Sequence, residues 1–210
     1  MVGIQIFSLF FSKFHAQTIS MFRSFLLAFF LSIWSNFSFA QRQPSILITY
    51  YSQSGNTKAM AEAIFEGATS VSGVVPKIRP IEEVSTQDLL DANAIIFGSP
   101  VYNSNVAPEV LEFMNSWPFE GRPLKNKLGA AFATGGGISI GEEGVMLDIL
   151  RGMLIHGMIV LGGDQVEASF GASGVTGESP FDSGQLDPLF LEKGRGLGRR
   201  VAETAKRFQE

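Results

Sequence analysis

Five short apolar runs, interspersed with stretches that repeat at helical spacing, constrain this chain more than any other feature. Ile46-Leu-Ile-Thr-Tyr50 ends in the turn-rich Ser52-Gln-Ser-Gly-Asn-Thr57. Met60, Ala61, Ile64, Phe65 and Ala68 then fall three or four apart, up to a stop at Gly73. Further apolar runs at 74–81, 94–97, 128–134 and 158–161 predict strands two to five. Between and after them, Pro108 opens a helix striped by Val110, Met114 and Trp117. Met146, Ile149, Leu150 and Met153 mark another, and Phe190, Leu197, Val201 and Phe208 the last. Strands alternating with helices predict an α/β fold, a doubly wound parallel sheet with helices on both faces. In such sheets ligands sit beyond the carboxyl ends of the strands. Those ends are rich in small polar residues here, at 52–57, 98–105 and 133–143. The Gly- and Ser-rich stretch 162–187 is longer than connections in compact domains usually are, which marks it as functional or disordered.

Composition separates the first forty residues from the rest. They hold ten of the 19 phenylalanines and one of the 23 glycines, and their only charges are Lys13 and Arg23. An apolar core from Phe25 to Trp34 follows Met21-Phe-Arg23, and Ser38 and Ala40 stand at −3 and −1 of a cut before Gln41. That is the pattern of a Sec-type signal peptide, with Met21 an alternative start, which predicts an exported protein. The alternative is an uncleaved membrane anchor, although the apolar core is short for a span. The expected organisation is a leader at 1–40 and one domain at 41–210. That domain carries every Asp and Glu of the chain and nets −6. Nucleic acid is therefore excluded as a first partner, since phosphate backbones call for a basic stripe. The absence of cysteine removes thiol catalysis, disulfides and iron–sulfur ligation, so redox chemistry would require a bound cofactor.

The segment Ser52-x-Ser54-Gly55-x-Thr57 falls on the first strand-to-helix junction. Three hydroxyls, successive backbone amides and the positive end of a helix would hold a phosphomonoester without a cationic side chain. An ordinary Ser/Thr helix cap has the same residues. Gly137-Ile-Ser-Ile-Gly141 satisfies G-x-S-x-G, with Asp148 and His156 following in hydrolase order. Those two residues would lie on one helix beyond the serine, however, more than two turns apart along its axis. Neither G-x-G-x-x-G after a strand nor a Walker motif is present, and one histidine after the leader with no cysteine argues against a transition-metal site.

Tyr51-Ser-Gln-Ser-Gly-Asn-Thr57 resembles the FMN-phosphate loop of flavodoxin-like proteins. Phe97-Gly-Ser-Pro-Val-Tyr102 with Asn105-Val-Ala107 is similar to the second flavin loop of the NAD(P)H:quinone oxidoreductases of the tryptophan-repressor-binding-protein type. Gly141-Glu-Glu143, His156-Gly-Met158 and Gly171-Ala-Ser-Gly-Val-Thr176 match the same branch. The resemblance spans 45–208. It implies a flavodoxin-like three-layer sandwich with a five-stranded parallel sheet in the order 2-1-3-4-5. Ser52, Ser54, Gly55, Asn56 and Thr57 would hold the FMN phosphate. Pro100, Val101, Tyr102, Asn103, Thr134 and Gly135 would line the flavin ring, and His156 would stand beside it, with Tyr102 and His156 as the catalytic candidates. His156 is equally placed to be a core histidine on the apolar helix face, and Trp117 reads as core. The implied activity is electron transfer from NAD(P)H to a quinone-type acceptor, in a homodimer or homotetramer. The alternative is an exported FMN electron carrier that does not itself oxidise NAD(P)H. The membrane would be a partner only if the leader stays uncleaved. The chain departs from that branch in three places: Tyr102-Asn103-Ser104 stands where the branch has Arg-Phe-Gly, the loop from Gly135 to Gly141 is longer, and Ile155 replaces a second histidine.

Overall fold

The computed structural model describes residues 43–208, and the leader predicted at 1–40 lies outside them. The first strand, β1 (Ser45–Tyr50), is buried almost throughout. It pairs in parallel with β2 (Val75–Pro80) on one side and β3 (Ala94–Tyr102) on the other, with Ile48 opposite both Ile78 and Ile96. Numbered with a short hairpin strand β4 (Asn105–Val106), the sheet continues through β5 (Leu128–Gly135) to β6 (Ile159–Leu161), in the order β2-β1-β3-β5-β6. Leaving out β4, this is the expected 2-1-3-4-5 arrangement.

Side chains alternate between two cores, as the two-residue period of a strand requires. Ile46, Ile48, Ile96, Ala130 and Phe132 face α1 (Asn56–Thr69) and α5 (Pro188–Arg207). Leu47, Ile95, Phe97, Ala131 and Ala133 face α2 (Thr86–Asp91), α3 (Pro108–Asn115) and α4 (Glu142–Ile155). The first core is thin because α1 and α5 nearly touch: a Cβ on Gly198 would overlap the Ile64 carbonyl. Gly194 and Gly198 therefore serve helix packing against α1, whereas Gly196 makes room for the Asp164 side chain. The second core is filled by large groups, with Phe97, Phe113 and Trp117 rings 5.5–6.0 Å apart.

Three features depart from the expected elements. Helix α2 was not anticipated; it starts in a capping box in which Ser85 Oγ accepts from the Asp88 amide and the Asp88 carboxylate accepts from the Ser85 amide. Strand β3 extends through Tyr102 and turns tightly into β4, with Asn103 and Ser104 both at positive φ, 50° and 61°. The fifth position of the sheet is shared by two strands: β6 pairs with 128–130 of β5, and β7 (Ala172–Val175) pairs with 132–135. An excursion at 162–171 separates them, fastened to α5 by Arg199–Asp164 and Arg200–Gly163 contacts. The 162–187 stretch, expected to be functional or disordered, thus contains a strand whose pairing partner is the second half of β5. No helix of the described residues is long and apolar enough to cross a membrane.

Candidate functional site

Three loops meet at the carboxyl edge of the sheet. The first, 51–55, leads from β1 into α1. Gly55 is the helix N-cap in the left-handed region, φ 92°, with open space where a Cβ would point, so backbone conformation alone requires glycine. Ser52 Oγ accepts from the Gly55 and Lys58 amides, both at 3.2 Å. The backbone amides of Asn56 and Thr57 have no partner among the described residues, as the first turn of a helix leaves them. Two free amides beside exposed Ser54, at the positive end of a 14-residue helix, form a cradle for an anion. Thr57 is buried, and its Oγ1 lies 2.8 Å from Oγ1 of Thr134, also buried. That pair ties the first loop to the end of β5.

The second loop is the β3–β4 hairpin. Ser99 Oγ braces its base by accepting from the Ala107 amide at 3.0 Å. Pro100, Val101 and Tyr102 are half-buried strand residues and Asn103 is exposed in the turn. Pro100 pairs in register with Thr134, which brings the two sets of expected ring-lining residues, 100–103 and 134–135, side by side. Tyr102 donates its phenol to Gln53 Oε1 at 3.1 Å, bridging the hairpin to the first loop. Tyr51 donates to Glu109 Oε1 at 2.9 Å. The hydrogen bond to Glu109 raises the Tyr51 pKa, and burial, with a smaller contribution from Glu109, raises that of Tyr102. Both phenols stay protonated at neutral pH and act as donors.

The third loop, 136–141, runs from Gly135 to α4. The Ile140 side chain sits against Gly135, beside Val101. Ser104 Oγ donates to the Ile140 carbonyl at 2.6 Å, and Glu178 Oε2 accepts from the Ile138 amide at 2.6 Å. Asn56 Nδ2 reaches Thr176 Oγ1 and the Gly184 carbonyl, at 3.5 and 3.3 Å. Ser104, Ile140, Thr176 and Glu178 are not among the site residues expected from the sequence. The Thr176 segment was visible as a motif, but nothing in local spacing marks Glu178.

The structure gathers Ser52, Ser54, Gly55, Asn56, Thr57, Pro100, Val101, Tyr102, Asn103, Thr134 and Gly135 at one edge. It does not bring His156 to them. His156 is the C-cap of α4, a helix that begins at the site edge and runs away from it for 14 residues, about 21 Å. There it is buried, with its ring 5.6 Å from Trp117 and 5.2 Å from Phe119. Burial, reinforced by Arg122, lowers its pKa and keeps it neutral. Within one chain, His156 therefore stands apart from the other expected ring-lining residues and has the aromatic-boxed surroundings of the core histidine in the alternative reading. The same separation disposes of the G-x-S-x-G relay, since Ser139 precedes α4, His156 follows it, and Asp148 is paired with Arg151. Lys58 is an exposed helix residue 3.8 Å from Glu62. Among the described residues no three His, Asp or Glu side chains are grouped to hold a metal.

Comparison with known proteins agrees with this geometry. Residues 79–173 match the family model described as NADPH-dependent FMN reductase. An iron–sulfur flavoprotein of Methanocaldococcus jannaschii is 38% identical over 136 residues, 64% of this chain and 69% of that protein. A flavodoxin of Aquifex aeolicus is 30% identical over 173 residues, 78% of this chain and 88% of the relative. The chain belongs to the flavodoxin-like flavoprotein family. An NAD(P)H dehydrogenase (quinone) of Solidesulfovibrio magneticus is 27% identical over 206 residues, 79% of this chain and 99% of the relative. A WrbA-like flavodoxin structure from Agrobacterium tumefaciens superposes with a TM-score of 0.64 at 21% identity, over 78% of this chain and 98% of that one, and shares its fold. Unlike an iron–sulfur protein that ligates its cluster through thiolates, this flavodoxin-like chain has no cysteine in its 210 residues to offer a cluster.

Proposed function

We propose that this chain is an FMN-dependent oxidoreductase that passes electrons from NAD(P)H to quinone-type acceptors. One observation carries the reading: the left-handed Gly55 and the free Asn56 and Thr57 amides form an anion cradle on the edge where the hairpin and the third loop converge. Bound FMN supplies two-electron redox chemistry. The dihydronicotinamide loses two electrons and one proton, and the quinone gains two electrons and two protons, the second from solvent. The chain's own part is binding and orientation. Ser52, Ser54, Gly55, Asn56 and Thr57 hold the phosphate, while Pro100, Val101, Tyr102, Asn103, Thr134 and Gly135 offer a wall to the ring. Tyr102, held protonated by partial burial and the charge of Glu109 and hydrogen-bonded to Gln53, presents a donor rather than a base. No side chain acts as a nucleophile.

A second reading, an FMN electron carrier without NAD(P)H oxidation, is favoured by the hairpin tip. Tyr102-Asn103-Ser104 brings no cation to the site edge for a dinucleotide phosphate. The flavodoxin relative supports it as well. Export by the 1–40 leader and assembly as a homodimer or homotetramer complete the proposal. N-terminal sequencing of the mature protein, expected to begin at Gln41, and its mass in solution check these.

FMN titration of the purified chain by fluorescence quenching, followed by NADH and NADPH oxidation with benzoquinone, separates the readings. Tight binding with quinone-dependent turnover supports the reductase. Tight binding without turnover moves the function to the carrier. Absence of FMN binding removes both.

A further inference from the structure

We propose that Glu178 is the positioning residue of the third loop, its carboxylate holding the Ile138 amide so that it governs both how tightly a flavin is bound and how readily that flavin is reduced. The inference rests on the FMN reading above and concerns the one wall of the site that comes from the divided fifth strand.

Beyond β7 the chain forms a strap that closes on itself and on two site loops. The Thr176 amide donates to the Gly135 carbonyl at 3.1 Å, and the Gly184 amide to the Thr176 carbonyl at 3.0 Å. Asn56 Nδ2 grips the same strap at Thr176 Oγ1 and the Gly184 carbonyl. With its base fixed there, the strap carries Glu178 to the third loop. Glu178 Oε2 lies 2.6 Å from the Ile138 nitrogen and 3.0 Å from where a Gly137 Cβ would stand. Two residues on, Ser104 Oγ donates to the Ile140 carbonyl from the hairpin side. The loop is pinned by its amide from one side and its carbonyl from the other, with Ser139 between them at φ 58°. A serine adopts that conformation only at some cost, so it persists because the two pins determine it.

Two physical effects follow, and they depend on different properties of the side chain. Holding the loop needs an acceptor oxygen, which a carboxamide also provides. The bond is charge-assisted but lies at the surface, where water competes, so its removal costs a moderate amount of binding. Disfavouring added negative charge on the ring needs the carboxylate charge itself, which is held on the Ile138 amide, three residues along the loop from Gly135.

The test uses Glu178→Ala and Glu178→Gln in the full chain. Glu178→Ala should weaken FMN binding on the order of fivefold, as a moderate surface contact does, and should speed hydrogen exchange of the Ile138 amide in the flavin-free protein. Glu178→Gln should restore both to within about twofold of the parent, since the acceptor is kept. The two-electron midpoint potential of the bound flavin should rise in both variants, because both lose the charge. Parent-like FMN affinity and Ile138 exchange in Glu178→Ala, or failure of Glu178→Gln to rescue them, would overturn the positioning role. Unchanged potentials in both variants would overturn the electrostatic one. Either failure leaves FMN binding by the parent protein intact, which distinguishes it from failure of the functional reading.

Discussion

The two ends of α4 belong to the same helix and meet opposite requirements. At its start, Gly141 abuts the hairpin, Ser104 bonds the Ile140 carbonyl, and on the same edge the first loop leaves the Asn56 and Thr57 amides without partners among the described residues. At its end, His156 is closed in by Trp117 and Phe119, and Arg122 donates to the Ile155 carbonyl. Nearby, Lys127 donates to the Leu90 and Ala92 carbonyls, satisfying the C-terminus of α2. One edge of the sheet therefore saturates its helix ends with side chains while the other holds donors in reserve. A parallel sheet with returning helices produces this asymmetry by construction, because every helix N-terminus lies at the strands' carboxyl edge. The closed edge should carry stability and the open edge binding, and substitutions at each can separate the two.

The largest effect is expected at the closed edge. Trp117 is 4% exposed and packs on Phe97, Phe113 and His156. Trp117→Ala should cost about 3–5 kcal/mol of unfolding free energy by denaturant titration. FMN stoichiometry should be unchanged at temperatures where the variant is folded. Loss of flavin binding by a folded Trp117→Ala protein would break the proposed division between edges.

Thr57→Val tests the buried junction beneath the open edge. It keeps the shape and removes one partner of the Thr57–Thr134 pair, leaving a buried hydroxyl unsatisfied. The expected loss is about 1–3 kcal/mol of stability, together with roughly tenfold weaker FMN binding if about 1.4 kcal/mol of that loss falls on the loop's binding geometry. Gly55→Ala is milder for the fold, because no atom lies near the new Cβ. Its cost is the left-handed backbone, about 1–2 kcal/mol. The effect should fall mainly on FMN affinity, through the angle at which the Asn56 and Thr57 amides are presented. Equal stability losses with unaltered FMN affinity would show that the first loop is only a helix cap.

Much of the architecture was legible because strand and helix periods are local. The run Ile46–Tyr50 and the stripe from Met60 to Ala68 each declare themselves within a dozen residues. The first loop was legible for the same reason, as its hydroxyls, glycine and helix start are consecutive. Helix α2 escaped because six residues are too few to show a stripe, and only Ser85 with Asp88 announces it. Strand β7 escaped because Ala-Ser-Gly-Val has no apolar alternation; it is a strand because the second half of β5 needs a partner. Contacts such as Glu178 to Ile138 cross 40 residues, so no spacing reveals them. The place of His156 was decided by topology. A residue at the C-terminus of a returning helix lies at the edge away from the site, whatever face of the helix it occupies.

The smallest effect sharpens the comparison through pH. Burial and Arg122 lower the His156 pKa below its ordinary 6.5, so the folded chain favours the neutral ring. Above that value both folded and unfolded chains carry neutral histidine, and the full contribution to stability is present. As pH falls below it, the unfolded chain takes up the proton first, so stability declines on the acid side and keeps declining until the folded ring also protonates. Asp88 changes stability at lower pH. The Ser85 side-chain hydrogen bond, more than any other contact, holds its carboxyl below 3.8, and that contribution is lost only as pH falls through the carboxylate range. Unfolding midpoints between pH 8 and 5 should therefore fall in the parent and flatten in His156→Gln, while FMN affinity over the same range is indifferent to that substitution. A pH-dependent flavin affinity that His156→Gln abolishes would instead place the histidine in a flavin site and erase the difference between the edges.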